Sequence, residues 1–423
     1  KHRSRRNSMQ KVGMQVAASV LLLSSLLLSC GAVPFEDNVE GVVSTKPEQV
    51  SSTSWGSSAA AAASGVHATA SEWATGLHQW MSSSVSGKKV KKGSDICTDE
   101  DWRKTSLKLI RKIPIAGLFR DLKGTSKWEA SGTDIVNGDQ VFMVFDSLDY
   151  IGYMNTQFEY RAPLNKLIGR QTEQESSYEA IMYSYDTKTF LMIRETVPNE
   201  GEKTFSPSVV EARVGVESYD ILSECSVDFD FDSENKGFEG GLYFSMKGER
   251  YLLGLCEGNG CESGKKGQDP GNGMAILTKR SVDKKGKCVW EFVKKLTVPP
   301  EADFVDYSDM AVYNPDHEAS GALTVGIVSQ ESSAIWIGQL DTDAWEFVGP
   351  GTVMHFPRND NCEIIYCNIE GISFLDEYQI ITTTDRSKAT QDYMCVDNDQ
   401  SVQTFLLPEP LQVPSSKKTS VEL

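Results

Sequence analysis

Five times between residues 131 and 388 the chain repeats one local pattern, and that repetition limits the folds open to it. An acidic residue opens a short apolar strand, a turn follows, and a second apolar strand ends on another acid. The copies read SGTDIVNGDQVFMVFDS, YEAIMYSYDTKTFLMIRET, FEGGLYFSMKGERYLLGLCEG, YSDMAVYNPDHEASGALTVGIVSQES and IEGISFLDEYQIITTTDRS. The opening acids are Asp134, Glu179, Glu239, Asp309 and Glu370; the closing acids are Asp146, Glu195, Glu257, Glu331 and Asp385. In an antiparallel hairpin the start of the first strand lies beside the end of the second, so each copy should bring its two carboxylates to one end of its sheet.

The opening acids recur at intervals of 45, 60, 70 and 61 residues, a spacing that suits a four-stranded unit with variable outer loops. Runs such as VFMVF, FLMI, YLLGL and LTVGIV are apolar at nearly every position, as expected for strands covered on both faces. The fourth copy contains a full unit, with strands near 307–313, 323–330, 334–340 and 344–348. The third finds its outer pair at 273–280 and 288–296. After the fifth inner hairpin only SVQTFLLP at 401–408 remains, whereas TSLKLIRKIPIAGLF at 105–119 stands spare before the first copy. The expected fold is therefore all-β: a single β-propeller of five four-stranded blades, or six if an irregular one lies in 198–235. The N-terminal strand would complete the last blade and leave no open edge.

On this reading residues 96–410 form the propeller, 411–423 a tail, and 33–95 a linker rich in Ser, Ala and Gly, within which SEWATGLHQWM at 71–81 has helical spacing. The basic start, the apolar AASVLLLSSLLL at 17–28 and the small residues after it have the layout of a secretory leader over 1–32. The protein is then secreted or extracellular. If LLSC at 27–30 is a lipidation box, Cys30 makes it lipid-anchored or periplasmic. Eight cysteines remain beyond the leader, an even number that fits disulfides in an oxidising compartment. A local Cys256–Cys261 bridge and a link from Cys362 or Cys367 to Cys395 are the pairings the spacing favours. A formal charge of −17, with five basic residues and no acid in residues 1–12, disfavours nucleic acid as a partner.

Ten carboxylates around one channel mouth need compensation, since two like charges about 4 Å apart repel by roughly 4 kcal/mol at an effective dielectric near 20. Oxygen donors without histidine point to calcium or magnesium. The candidate metal ligands are Asp134, Glu179, Glu239, Asp309 and Glu370. Of these, Glu239 and Glu370 are also the candidate catalytic residues, and Glu257, Asp385, Arg194 and Arg386 the candidate substrate-binding ones. Acids at strand ends also serve as ordinary turn residues, and the two arginines equally suit neutralising the acids beside them. His317 and His355 are the only histidines in the repeat region. Neither G-x-S-x-G nor G-x-x-x-x-G-K-[ST] occurs, which removes the common serine-hydrolase and nucleotide-binding readings.

The segments GFEGGLYF, LLGLCEGN, NIEGISFL and TTTDRSK resemble the phytase-like esterase family of β-propellers, with Glu239, Glu257, Glu370 and Asp385 at the repeated acidic positions. Ala180 and Met310 stand where that pattern has glycine. The resemblance implies an exported propeller that hydrolyses small-molecule esters or phosphoesters with calcium. The alternative is a non-enzymatic extracellular propeller that binds a protein or glycan and carries calcium as a structural ion.

Overall fold

A computed structural model describes residues 97–119, 127–169, 175–199, 203–234, 236–314, 317, 321–386 and 391–411. The expected leader, Cys30, the whole of the linker with the helical stretch at 71–81, and nearly all of the tail lie outside the described residues.

Among the described residues the apolar runs form twenty strands in five antiparallel sets of four, the second and third joined in one eight-stranded sheet. The first set is β2 (Ala130–Val136), β3 (Gln140–Phe145), β4 (Tyr150–Asn155) and β5 (Lys166–Gly169). The second is β6 (Tyr178–Ser184), β7 (Thr189–Pro198), β8 (Phe205–Val214) and β9 (Tyr219–Val227). The third is β10 (Phe238–Met246), β11 (Glu249–Cys256), β12 (Met274–Val282) and β13 (Cys288–Thr297). The fourth is β14 (Asp309–Tyr313), β15 (Ala322–Ser329), β16 (Ala334–Asp341) and β17 (Glu346–His355). The last joins β18 (Ile369–Phe374), β19 (Gln379–Thr384) and β20 (Ser401–Leu406) to the N-terminal β1 (Lys108–Pro114), which pairs antiparallel with β20 from Lys108↔Leu406 to Pro114↔Ser401. In the region 198–235, where a further blade was weighed, VVEARVG falls in β8, and SVDFDFD begins at the end of β9 and runs on into the segment after it, so this region supplies the outer pair of the second set.

Alternation explains why these strands read as continuous apolar runs. In β3, Val141, Met143 and Phe145 enter one core cluster together with Ile381 and Val402 of the last set, while Phe142 and Val144 enter another with Ile181 and Met192 of the second. Leu252 and Ile276 face the second set, and their neighbours Leu253 and Leu277 face the fourth. A fifth cluster joins Val328 and Ile335 to Ile372 and Phe405. Each cluster thus fills the space between two consecutive sets, and the last set packs on the first. The inner strands of each set are buried on both faces, whereas the outermost strands β1, β9, β13 and β17 are largely exposed; the period-2 side-chain geometry of a strand assigns alternate residues to different cores.

The inner strands approach closely. A Cβ on Gly240 would lie 2.7 Å from Asp309 Cα, and one on Gly132 would lie 2.6 Å from Ala180 Cα. Side chains tie the ring together: Ser308 Oγ donates to Ile369 O at 2.7 Å and Ser373 Oγ to Thr133 O at 2.9 Å. At the periphery the second and third sets merge through a short parallel pairing, Val289↔Ser226 and Trp290↔Val227, next to the Cys225–Cys288 disulfide.

Three further disulfides join Cys97 to Cys362, Cys256 to Cys261 and Cys367 to Cys395. The first fastens helix α1 (Glu100–Thr105), where Trp102 stacks on His355 at 4.1 Å. No helix among the described residues is long and apolar enough to cross a membrane.

Candidate functional site

The hairpins deliver their closing acids as antiparallel geometry requires. The backbone N–H of Asp146 donates to Glu129 O at 2.8 Å, that of Glu195 to Ser177 O at 2.8 Å, that of Glu257 to Gly237 O at 3.3 Å and that of Asp385 to Asn368 O at 2.9 Å. Each acid at the end of a second strand therefore sits beside the entrance of the first.

The opening acids are placed by a repeated irregularity. The ladder slips by one residue between Tyr178 and Ala180, between Phe238 and Gly240, and between Ile369 and Gly371. Glu179, Glu239 and Glu370 are the residues left unpaired. A β-bulge bends its strand and re-aims the extra side chain, which turns these carboxylates out of the ladder at the strand entrance. The glycine that follows in two of the copies leaves room for the neighbouring inner strand.

The first and fourth copies differ. In β2 the slip falls between Ala130 and Thr133, so Ser131 occupies the position held by glutamate elsewhere, three residues ahead of Asp134. Asp134 lies deeper along the strand, where Oδ1 accepts from Ile135 N at 2.8 Å and Oδ2 from Tyr183 N at 2.6 Å. The β14–β15 ladder is regular through Asp309, whose carboxylate accepts from Met310 N at 2.7 Å and Ile372 N at 2.8 Å. Both aspartates are occupied in holding one inner strand to the next.

The remaining acids gather at the strand entrances. Asp146, Glu179 and Glu195 each present one carboxylate oxygen within 4.8 Å of the others, a spacing one cation can bridge. Desolvation, followed by the charges of Asp146, Glu195 and Glu370, holds the Glu179 carboxyl well above its ordinary range, against a hydrogen bond from Ser131. Glu239 is raised in the same sense by desolvation and then by Glu179, Glu257 and Glu195, with Lys236 opposing. Asp146 is pushed up to about 6 by desolvation and by Glu129 and Glu175, and Glu195 to about 7 by desolvation and by Asp146 and Glu257. The acids of several sheets thus feel one another across a common mouth.

Glu129, Glu175 and a buried aspartate there escaped the sequence reading. Asp306 precedes β14, takes hydrogen bonds from Ser329 Oγ and from Glu331 N at 3.1 Å, and is raised to about 7 by desolvation and by Glu331 and Glu257. The only hint was the alternation of acids in FVDYSD, in which the second acid, Asp309, matches the repeat and Asp306 does not.

Two disulfides brace the mouth: Cys256–Cys261 closes the turn that carries Glu257, and Cys367–Cys395 ties down the segment leading into Glu370. Lys236 forms an ion pair with Glu257. Arg194 instead binds Glu224 at 2.8 Å and Ser176 O at 3.2 Å, and lies over the Tyr178 ring in a separate recess of about 610 Å³ with Asp149 and Tyr219. Arg386 is exposed, and its backbone N–H donates to the Asp385 carboxylate.

Fold and site together define an all-β, propeller-like protein with an acidic mouth. No family model and no curated protein matches the sequence, so the likeness to phytase-like propellers rests on the segments quoted above. Among solved structures, the chain is similar to a GH43_1 enzyme from Xanthomonas citri, with 10% identity and a TM-score of 0.39 over 73% of this chain and 92% of that one. It is also similar to the PQQ-bound aldose sugar dehydrogenase of Streptomyces coelicolor, with 9% identity and a TM-score of 0.38 over 71% and 98%. The Dos1 propeller aligns at 9% identity and a TM-score of 0.33 over 60% of this chain, which spans about half of that structure, 53%. At these scores the likeness assigns neither activity nor ligand.

Proposed function

We propose that the protein is an exported five-bladed propeller, closed by its N-terminal strand, whose acidic mouth binds a calcium ion and hydrolyses an ester or phosphoester beside it. The observation that carries this reading is the convergence of Asp146, Glu179 and Glu195 within 4.8 Å. Three carboxylates so close, with Glu239 and Glu370 in electrostatic reach, are unfavourable as a set of bare charges, and a divalent cation offsets the repulsion. Their all-oxygen donor set suits calcium over zinc. The four disulfides fit an oxidising compartment.

When bound, the ion supplies Lewis-acid polarisation of a carbonyl or phosphoryl oxygen and a more acidic bound water. The chain's own contribution is proton handling. Glu239 and Glu370 sit on bulges at the mouth; burial and the neighbouring acids hold the Glu239 carboxyl well above its ordinary range, which suits a group that takes up and gives back a proton. Asp385 and the exposed Arg386 are placed at the end of β19 to contact the substrate, and Glu257 shares that role while paired with Lys236. The placement of Arg194 in the recess around Tyr178 favours a structural role for it.

The second reading, a non-enzymatic propeller that binds a protein or glycan and is stiffened by calcium, is favoured by the ion pairing of Lys236 and Arg194. That pairing leaves Arg386, among the described residues, as the cation placed to hold an anionic substrate. The two readings separate on p-nitrophenyl phosphate, p-nitrophenyl acetate and a simple lactone. Calcium-dependent turnover lost in Glu239→Gln, with the fold intact by circular dichroism, supports the hydrolase. Thermal stabilisation by calcium with no turnover on any of the three supports the binding protein.

A further inference from the structure

The inner strands end at a second opening whose chemistry differs from that of the acidic mouth. Their C-terminal ends line a cavity of about 700 Å³, and the described lining residues include no lysine and no arginine. Aromatic rings dominate its walls: Tyr183, Tyr185, Tyr243, Tyr313 and Phe374, with His317 stacked on Tyr185 at 3.6 Å between ring centroids. Tyr183 meets Tyr185 edge-on at 4.8 Å, and Tyr313 meets Phe374 edge-on at 6.0 Å. Three carboxylates, Asp134, Asp186 and Asp376, share the lining.

We propose that this cavity binds a small organic cation, an alkylated ammonium group held among the tyrosine rings and balanced by Asp186. The proposal concerns the opposite end of the channel and does not depend on the hydrolase reading.

Three features carry it. First, the electrostatics have one sign. Tyr243 Oη donates to both oxygens of Asp186, at 3.2 and 3.3 Å, and Ser184 Oγ adds a third hydrogen bond. Those bonds outweigh the cost of desolvation and keep the carboxyl below its ordinary value, so the charge is retained at neutral pH. The Asp186 charge disfavours an anion and favours a cation. Second, ring faces attract cations through their quadrupole, most strongly where water is excluded. The wall already does this once: the Arg250 guanidinium lies 5.4 Å over the Tyr243 ring while Nε donates to Tyr243 Oη at 2.9 Å. Arg250 is itself fixed to Glu211 through two nitrogens, at 3.2 and 2.9 Å, and so stays out of the cavity lining. Third, the room suits a small molecule.

The test is calorimetric titration of the full chain, in calcium-containing buffer, with choline chloride, with its neutral isostere 3,3-dimethylbutan-1-ol and with methyl glucoside. Choline is expected to bind saturably, with the alcohol about tenfold weaker or worse. Tyr185→Leu and, independently, Asp186→Asn should each weaken choline binding at least about fivefold. Glu179→Gln, at the acidic mouth, should leave it unchanged, which separates this site from the proposed calcium site. Equal affinity for the alcohol, binding of the glucoside but not choline, no saturable heat with choline, or choline binding untouched by both cavity variants would overturn the proposal.

Discussion

Asp309 reaches across to the next sheet and accepts the Ile372 backbone N–H at 2.8 Å while also taking that of its neighbour Met310 at 2.7 Å. It is a carboxyl 3% exposed, and burial holds its pKa well above the ordinary range. Asp134 makes the equivalent bond to Tyr183 N between the first two sets. Inner strands that face a channel have no partner strand on that side. These two side chains satisfy donors the ladders leave open.

Asp309→Ala strands two buried N–H groups. Unsatisfied buried donors cost about 1–3 kcal/mol each, so the variant should lose roughly 2–6 kcal/mol in urea unfolding. An unchanged midpoint would mean that water replaces the carboxylate.

The parallel seam between β9 and β13 is held by only two residue pairs and a disulfide spanning 63 residues. Loop-closure entropy assigns such a cross-link about 4 kcal/mol, against about 2 for the five-residue span of Cys256–Cys261. The double variant Cys225→Ser/Cys288→Ser should therefore lower the unfolding midpoint more than Cys256→Ser/Cys261→Ser does.

The mouth acids set a pH dependence of definite sign. Asp146 and Glu195 titrate near 6 and 7 in the folded protein, above their ordinary values of 3.8 and 4.5. The folded state therefore holds protons that the unfolded chain releases. Their stabilising effect is full below about pH 4 and is lost as the pH rises to about 7. Asp134 and Asp306, both near 7, act in the same direction. In EDTA, calorimetric Tm should fall between pH 5 and 8. Calcium binds the ionised form, so the Tm gain it confers should be larger at pH 8 than at pH 5. A gain independent of pH would place calcium elsewhere.

The sequence exposed the hairpins because strand periodicity and turn residues are local signals, and the outer strands of the third set fall within a few residues of their expected bounds, whereas β17 runs on to His355, well past the expected 348. Alignment of the copies was less visible. Asp134 stands where an acid was wanted, yet Ser131 takes the bulge, because the ladder pairs Ala130 with Phe145 and Asp134 with Phe142 and slips between Ala130 and Thr133. Glu239 and Glu370 were legible through the glycine after each, which has a steric cause in the close approach of the next strand. Asp306 lies in an irregular segment with no repeat to mark it. The aromatic cavity was hidden for a related reason: Tyr183, Tyr243, Tyr313 and Phe374 stand at matching positions on their strands, but a tyrosine near a strand end reads as ordinary strand composition until the ring closes.

The bulged glutamates also make a prediction about apo stability. Glu179→Gln removes one of several mutually repelling groups while preserving shape. In EDTA at pH 8 it should raise Tm relative to the unsubstituted protein, the opposite of what loss of a structural hydrogen-bonding residue does.

The most direct test of the account is calcium titration calorimetry at pH 8 on the unsubstituted protein and on Glu179→Gln and Glu195→Gln. The convergence of Asp146, Glu179 and Glu195 predicts one saturable calcium site, weakened at least about tenfold by either substitution, since each removes a charged ligand from a hard-cation site. No calcium binding, or binding that both substitutions leave intact, would contradict it.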